Sequence, residues 1–398
     1  MKSLNKIRYL VTTKINAFKY KLTKNEKFRE KSEHYKKKYD VLNVISRKKF
    51  RKYIQKRAKL DIYDIDNLSA PFPCGVESDE IWTWNDYYGI ADIYKKYAGY
   101  PLDYKLKFVV DHAIYYYNTR IHPEEYKVNM PAHICTSNYA KGIMAPHVTT
   151  ELYPAGLHMF YVDDYYDESK FNKEKKKLGK NLLVFPCHSS DCFLVDYKPD
   201  KLIKEILKIK NEHDFDSVTV CFYFCEIQRG FHKNFEGYGF NFVTAGHILD
   251  PMFLSRLKTI IKLSDVTMSN DIGSHVFYSI GMDKPHYVIP ERDFEYHGTW
   301  EGAENSPSEI ATIEDLESSR EDSANYMELF SKYTEQFTEE QKIVKEKICG
   351  LESFKTPEEI KEFFEKTEKL YQNGEYLKYN KHVHRFSMAS YAKKNKKD

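Results

Sequence analysis

The sequence predicts an α/β protein of two lobes, each a parallel sheet with helices on both faces, preceded by a basic helical extension. Short apolar runs alternate with helical segments over about 61–290, as in consecutive βαβ units. A charged, apolar-poor stretch interrupts them at 163–181. Residues 1–60 hold 21 Lys/Arg against 4 Asp/Glu. The predicted division is an extension over 1–60, lobes over 61–165 and 182–340, a linker over 166–181 and C-terminal helices with a tail over 341–398.

Composition narrows the class of protein. Of the 398 residues, 41% are hydrophobic, which is enough for ordinary globular cores. The seven cysteines form no CxxC pair, so neither a zinc site nor a disulfide framework is indicated, and a reducing compartment fits best. There is no signal-peptide h-region and no run approaching the ~20 apolar residues of a membrane span. We expect a cytoplasmic protein, peripheral at the inner face of the cell membrane.

The extension predicts one or two basic helices. Its apolar residues recur at roughly helical spacing among lysines: Ile7, Tyr9, Leu10, Ile15, Phe18 and Leu22. Such a helix can lie on anionic lipid, each nearby Lys or Arg adding about 1 kcal/mol. It can equally pack on the body through its apolar stripe, and these two interpretations stay open. Binding to nucleic acid is the weaker alternative, and we expect no nucleic-acid partner.

The first lobe is predicted from three apolar runs. Strands are expected over 79–85, 105–118 and 132–138, with a helix closed by Gly99 after the first. The second run has a polar break at Asp111-His112. A polar pair inside a buried strand is costly unless it is partnered.

The second lobe has the stronger pattern, a Rossmann-like β–α series with short connections. Strands are predicted over 182–188, 217–227, 240–246, 266–270 and 286–290. Helices are predicted over 199–212, 250–264, 274–281, 338–348 and 356–372. Residues 300–335 are acidic and Ser-rich, which predicts a surface loop or irregular helix.

The segment 263–289 carries the clearest functional signal. A strand ends at Ser269-Asn270, and a turn with Gly273 leads to a helix that starts near Ser274, followed by His275. The N-terminus of a helix presents unpaired N–H groups and a positive dipole, which favour a phosphate. The alternative is an ordinary βα turn in which Ser and Asn act as helix caps.

This pattern, from Asp265 to Pro285, resembles the donor-phosphate loop of GT-B glycosyltransferases, particularly those of bacterial capsule and lipopolysaccharide synthesis. It is more distantly similar to sialyltransferase-like and teichoic-acid glycerophosphotransferase enzymes. The resemblance is close over 182–193 and 244–289. It implies a GT-B-like pair of lobes, with Ser/Thr hydroxyls and main-chain N–H groups at this helix on a nucleotide-sugar phosphate. The Glu-x7-Glu pair of retaining GT-B enzymes is absent, which favours inversion.

Two further loops follow strands of the second lobe, and the carboxyl ends of parallel strands border the ligand crevice. The first contributes a histidine with hydroxyl groups and a carboxylate: His188, Ser189, Ser190 and Asp191. The second contributes Gly246 and His247, which the resemblance places near the donor nucleotide. Polar turns explain the same residues without a ligand. Asp250 is explained as a helix cap, and Arg256 is assigned to structure.

An inverting transferase needs a base for the acceptor hydroxyl, and a histidine or carboxylate in the first lobe suits that task. Adjacent strand residues point to opposite faces, so one of Asp111 and His112 should face the cleft. We predict His112 as the base, because an unperturbed imidazole titrates near 6.5, with Asp111 as the alternative. Asp86 is the rival, and the neighbouring aromatics at 82–88 suggest an acceptor platform.

The expected function is transfer of a sugar from a nucleotide-sugar donor to a glycan or lipid-linked glycan acceptor of a surface polysaccharide. No metal and no cofactor are expected, since no DxD motif lies between apolar strands and helix dipoles can hold a diphosphate. A polyol-phosphate transferase, a non-catalytic scaffold and a sugar-nucleotide epimerase remain alternatives. The basic extension argues against the epimerase.

Overall fold

The structure, a computed structural model, describes residues 2–42, 44–72, 75–116, 130–146, 148, 150–190, 194–290, 293–297 and 323–374. Asp191 and most of the predicted acidic segment over 300–335 lie outside these ranges. None of the described helices combines the length and apolar content needed to cross a bilayer.

The chain begins with a helical hairpin of α1 (Lys2–Thr23) and α2 (Glu26–Leu42), which confirms the two basic helices. The next segment already belongs to the body. It contains β1 (Val44–Ser46), α3 (Arg47–Ile54), α4 (Ile65–Ser69) and β2 (Gly75–Glu77), and β1 pairs in parallel with β2. Its loop lies against the second lobe, where Thr244 N donates to Ile62 O at 3.1 Å.

The first lobe contains a three-stranded parallel sheet in the order β3-β4-β5. Its elements are α5 (Ile90–Tyr97), β3 (Val109–Val110), β4 (Ala132–Cys135), α6 (Asn138–Met144) and β5 (Glu151–Pro154). The predicted strand over 132–138 is confirmed. The strand predicted over 105–118 is reduced to two residues.

The strand predicted over 79–85 is wrong. A 3₁₀ helix over Thr83–Gly89 takes its place. Tyr88 and Gly89 have φ of 55° and 74°, a left-handed conformation that no strand contains. A Cβ on Gly89 would lie 2.5 Å from Pro251 Cα, so the contact between the lobes requires glycine here.

The second lobe is a five-stranded parallel sheet in the order β11-β10-β6-β8-β9. Its strands are β6 (Asn181–Phe185), β8 (Ser217–Cys221), β9 (Asn241–Val243), β10 (Val266–Ser269) and β11 (His286–Val288). Along the chain these are the first to fifth strands, so the order is 5-4-1-2-3, the doubly wound Rossmann arrangement. The α/β class with Rossmann-like lobes is therefore confirmed. A separate antiparallel pair joins β7 (Leu194–Asp196) to β12 (Glu295–His297).

The helices predicted over 199–212, 250–264, 274–281, 338–348 and 356–372 are confirmed, whereas the strand predicted over 217–227 ends at Cys221 and a short helix, Phe224–Gln228, takes the place of its second half. The helices of this half are α7 (Glu168–Leu178), α8 (Asp200–Glu212), α9 (Phe224–Gln228), α10 (Phe253–Lys262), α11 (Ser274–Gly281), α12 (323–330), α13 (Glu339–Cys349) and α14 (Pro357–Asn373). As predicted, α14 begins at the cap Thr356 with Pro357 in its first turn, and Glu359 completes a capping box. The charged stretch predicted as a linker contains α7.

One continuous apolar core runs through both lobes. It joins Ile134 of the first sheet to Phe185 and Val288 of the second. The last helix, α14, returns to the first lobe, where Phe363 stacks on Tyr153 with ring centroids 4.2 Å apart. The lobes therefore share buried surface on several sides of the cleft.

Candidate functional site

A cavity of about 360 Å³ lies between the lobes, and five predicted residues meet at its wall. These are His112 from the first lobe and His188, Gly273, Ser274 and His275 from the second. The other predicted base and donor-binding residues that the structure describes lie outside the lining, whereas Tyr88 of the predicted aromatic platform belongs to it. The cavity therefore joins the predicted base to the predicted phosphate loop.

The N-terminus of α11 opens onto this cavity. Its N-cap is Gly273, which has no side chain to accept from the first N–H groups, and these lack partners within a helix. The predicted alternative, capping by Ser or Asn, is not what the structure shows. Ser274 Oγ instead accepts from Ile114 N of the first lobe at 3.2 Å, which fixes the two lobes together beside His112.

Ser269 and Asn270 hold the loops that frame the cavity. Asn270 Oδ1 accepts from Cys187 N at 2.7 Å, which ties the end of β10 to the end of the adjacent β6. Ser269 Oγ donates to Asp271 O at 2.7 Å and lies 2.9 Å from His286 Nε2. Ligands of open α/β sheets bind where the strand order reverses, which in this sheet is the gap between β6 and β10.

His275 is neutral at neutral pH. Withdrawal from water, with a smaller contribution from His188, lowers the pKa of His275 to about 3. Its Nε2–H donates to Asp271 O at 3.2 Å. The imidazole therefore provides a neutral group at the cavity.

In the loop after β6, His188 lines the cavity and Ser189 is buried among structural hydrogen bonds. His188 stacks obliquely on Tyr223, with ring centroids 4.3 Å apart. Ser189 is fully buried, and its Oγ accepts from Val195 N at 3.0 Å and from Arg229. Ser190 lies outside the cavity lining. Of the predicted residues of this loop that the structure describes, His188 is the one that lines the cavity.

Gly246 and His247 form the turn behind the cavity. Gly246 has φ of +99°, and a Cβ there would meet Arg256 Nη1 at 3.1 Å. His247 Nδ1 accepts from Leu249 N at 3.2 Å, and its ring lies between Phe72 and Phe224. Burial, followed by the charge of Arg57, lowers the pKa of His247 to about 3. These contacts give both residues a role in the loop, and their predicted donor contact stays a prediction.

On the first-lobe side, His112 is held by aromatic rings. Its imidazole meets Trp84 edge-on at 5.1 Å and Tyr87 at 5.7 Å between centroids. Trp84 and Tyr87 are themselves nearly parallel, 6.2 Å apart. This frame orients the imidazole at the cavity and leaves little rotamer freedom.

Asp111 points the other way, into the core. It is fully buried, and its carboxylate pairs with His133. Its carbonyl oxygen accepts from His158 Nε2 at 2.5 Å, and His158 Nδ1 accepts from Tyr94 Oη at 2.9 Å. These contacts fix the backbone that carries His112, so the structure favours a positioning role for Asp111.

Asp86 is also buried, at 4% exposure. It lies 3.5 Å from Nε of the buried Arg47. Burial raises the pKa of Asp86, an effect that the charge of Arg47 opposes. Its environment is that of a structural ion pair, away from the cavity lining.

Comparison with known proteins finds partial similarity to solved structures. No protein-family model and no curated protein matches the sequence. Among solved structures, S. aureus MnaA with UDP aligns with 81% of this chain and 82% of its own, at 13% identity and a TM-score of 0.38. Sucrose-phosphate synthase from Thermosynechococcus elongatus aligns with 63% of this chain and 60% of its own, at 12% identity and a TM-score of 0.27. Phytolacca americana UGT2 with UDP-2-fluoro-glucose and pterostilbene aligns with 64% of this chain and 53% of its own, at 12% identity and a TM-score of 0.26.

Tyr88, a member of the predicted aromatic platform, lies at the cavity wall. Sequence reasoning missed three other tyrosines and an aspartate there: Tyr116, Tyr223, Tyr278 and Asp271. Tyr88 Oη lies 3.4 Å from Tyr223 Oη across the lobes. Tyr116 Oη donates to Ile272 O at 3.1 Å. The sequence does not distinguish these tyrosines, because 33 tyrosines are spread throughout the chain. Asp271 lies inside the predicted loop and had no distinguishing pattern.

The buried His158 predicts acid sensitivity. Burial lowers the pKa of His158 to about 4, whereas an unfolded histidine titrates near 6.5. Between these values the unfolded chain binds more protons, so the free energy of unfolding is unaffected by this group above pH 6.5 and falls below it. We expect a loss of about 2 kcal/mol at pH 5 from His158. Urea unfolding as a function of pH measures it.

The matched variant is His158→Gln, which keeps a donor and an acceptor and does not titrate. Its stability should decline less steeply between pH 6.5 and 5 than that of the native chain. Identical slopes would show that His158 is not neutral in the folded protein. Since the pKa values of His247 and His275 are lowered as well, these side chains take up protons in the unfolded chain over the same window, and part of the slope should remain.

Proposed function

We propose that the chain is a glycosyltransferase, which moves a sugar from a nucleotide-sugar donor to a hydroxyl of a glycan acceptor in the cleft between its lobes. The observation that carries the proposal is the meeting of His112 and the N-terminus of α11 in one cavity. A base and an anion site that reach one cavity from different lobes are what a displacement at an anomeric carbon requires.

The donor diphosphate is assigned to the N-terminus of α11. The dipole and N–H groups of Ser274 and His275 favour negative charge, and Gly273 lets a phosphate approach the backbone closely. His188 faces the same space from the loop after β6. As the bond to the sugar breaks, the charge that develops on the leaving phosphate oxygen is stabilised by this fixed dipole.

The acceptor is assigned to the first-lobe wall. His112 takes the proton of the attacking hydroxyl while the oxygen attacks the anomeric carbon, and the nucleoside diphosphate leaves from the opposite side. The configuration at that carbon is inverted. Trp84 and Tyr87 keep the imidazole in place, and Tyr88 adds a ring and a hydroxyl for a sugar. We propose a surface-polysaccharide or lipid-linked glycan as the acceptor.

Ser274→Asp tests the donor site. A carboxylate in the first turn favours the helix dipole, typically by 0.3–1 kcal/mol, but it repels a diphosphate. We expect the melting temperature of the free protein to be unchanged or higher. Calorimetry with a panel of nucleoside diphosphates, UDP among them, identifies the one that binds the native chain. The affinity of the variant for that nucleotide should be at least about tenfold lower.

Asn138→Asp is the matched control, because it places the same charge in the first turn of α6, away from the cavity. It should leave nucleotide affinity unchanged. If no nucleoside diphosphate or nucleotide-sugar binds the native chain, or if Ser274→Asp binds them equally well, the proposed donor site is wrong.

A further inference from the structure

We infer that one face of α1 is a docking surface for an anionic lipid bilayer. The inference concerns a part of the molecule distant in sequence from the cleft, and it holds whether or not the cleft transfers a sugar.

The surface is a stripe of six large apolar side chains, here called the apolar stripe. They are 48–73% exposed: Leu4, Ile7, Val11, Ile15, Phe18 and Leu22. The spacing 4-7-11 repeats as 15-18-22, a period of 11 residues, which keeps the stripe parallel to a straight helix axis. At about 100° per residue, all six fall within about 80° of the helix circumference.

In the hairpin, the apolar stripe lies on the side of α1 that does not contact α2. The covered side of α1 is instead largely polar: Asn16 is 8% exposed, and Thr13 O accepts from Ser32 Oγ at 3.1 Å. Tyr9 meets Tyr35 of α2 with ring centroids 6.0 Å apart. A helix that packs its polar side inward and its apolar side outward has the reverse of the amphipathic arrangement of a water-soluble hairpin. The six side chains of the apolar stripe are exposed and do not pack on the body, whereas Tyr9 and Leu10 of the predicted set lie outside this stripe and are half-buried.

The charged residues beside the apolar stripe indicate what kind of surface it binds. On the helix circumference, Arg8 and Lys19 lie on one border of the apolar stripe, and Lys14 and Lys21 lie on the other. The helix contains no acidic residue. An apolar strip between two rows of cations matches the acyl and headgroup layers of an anionic membrane, with the helix axis in the interface plane. A second copy of α1 would bring the same cations together, and their repulsion disfavours it.

The test is sedimentation of the full-length chain with two kinds of vesicle, phosphatidylcholine alone and phosphatidylcholine mixed with phosphatidylglycerol. We expect binding to the anionic vesicles, and weaker binding as salt is raised. The double variant Ile7→Gln/Phe18→Gln should reduce binding by about tenfold or more. Its control is Ile343→Gln/Tyr238→Gln, which removes two apolar side chains of 63% and 43% exposure from the body and should bind as the native chain does.

Several outcomes overturn the inference. Equal sedimentation with both kinds of vesicle would show that anionic lipid is not preferred. An equal loss of vesicle binding in both double variants would show that the apolar stripe is not the binding surface. No vesicle binding, together with a dimer in light scattering that the stripe variant abolishes, assigns the surface to a second copy. Circular dichroism of each variant establishes that the helices are retained. A failure to bind nucleotides would refute the donor site and leave this result unaffected.

Discussion

Replacing His112 by alanine is expected to lower turnover by about 10²–10⁴-fold, the usual contribution of a general base, while donor affinity is retained. The imidazole lies at the cavity wall, and Ile114, two residues away, donates its N–H to Ser274 Oγ. The base and the donor site are thus fixed relative to each other by a short piece of backbone. Single-turnover kinetics with a saturating donor and a defined acceptor measure the loss.

His112→Gln separates chemistry from packing, because glutamine retains polar contacts and cannot accept the proton. It should be as inactive as the alanine variant. Trp84→Phe, which alters the ring beside His112, serves as a packing control and should cost far less. Turnover that survives in both His112 variants would exclude it as the base. Asp86 would be the next candidate, although it is buried against Arg47.

The largest stability effect is expected at Asp250. This carboxylate and Arg256 are both fully buried and lie 2.8 Å apart. Arg256 also donates to Ala245 O and to Arg57 O, at 3.1 and 2.9 Å. Asp250→Ala leaves the guanidinium buried without its counter-charge, which costs about 3–5 kcal/mol of the free energy of unfolding. Urea unfolding measures this cost.

The double variant Asp250→Ala/Arg256→Met provides the control. Since it removes both charges and keeps an apolar side chain in place of arginine, it should be more stable than the sum of the single changes predicts. Strict additivity would show that the pair is not coupled. The result matters for the site, because the same loop contacts the first lobe through Ile248 O, which accepts from Tyr88 N at 2.6 Å.

The second lobe was predictable because local signals agreed there. Gly273 and Gly281 bound a short apolar helix, and the structure begins and ends α11 at the expected Ser274 and Gly281. The site loop followed from these bounds, since the end of a strand and the start of a helix define where a crevice opens.

The first lobe was less predictable, because aromatic residues favour strands in sequence but fill many other environments. Residues 79–85 have strand-like composition, yet residues 83–89 form a 3₁₀ helix that ends at the left-handed Tyr88 and Gly89, where Gly89 packs against Pro251. The alternation argument nevertheless separated Asp111 from His112, and the structure places one in the core and the other at the cavity. Partners distant in sequence, such as His133 and His158, had no local signal.

The apolar core that passes through both lobes has a consequence for ligand capture. Two lobes joined only by a linker must be brought together by the ligand, which reduces the affinity by the entropy of that ordering. Here the buried side chains hold the walls of the cleft in register before any ligand arrives. A ligand that binds as proposed therefore does not have to bring the lobes together, and discrimination among such ligands would depend on the fit of the cavity.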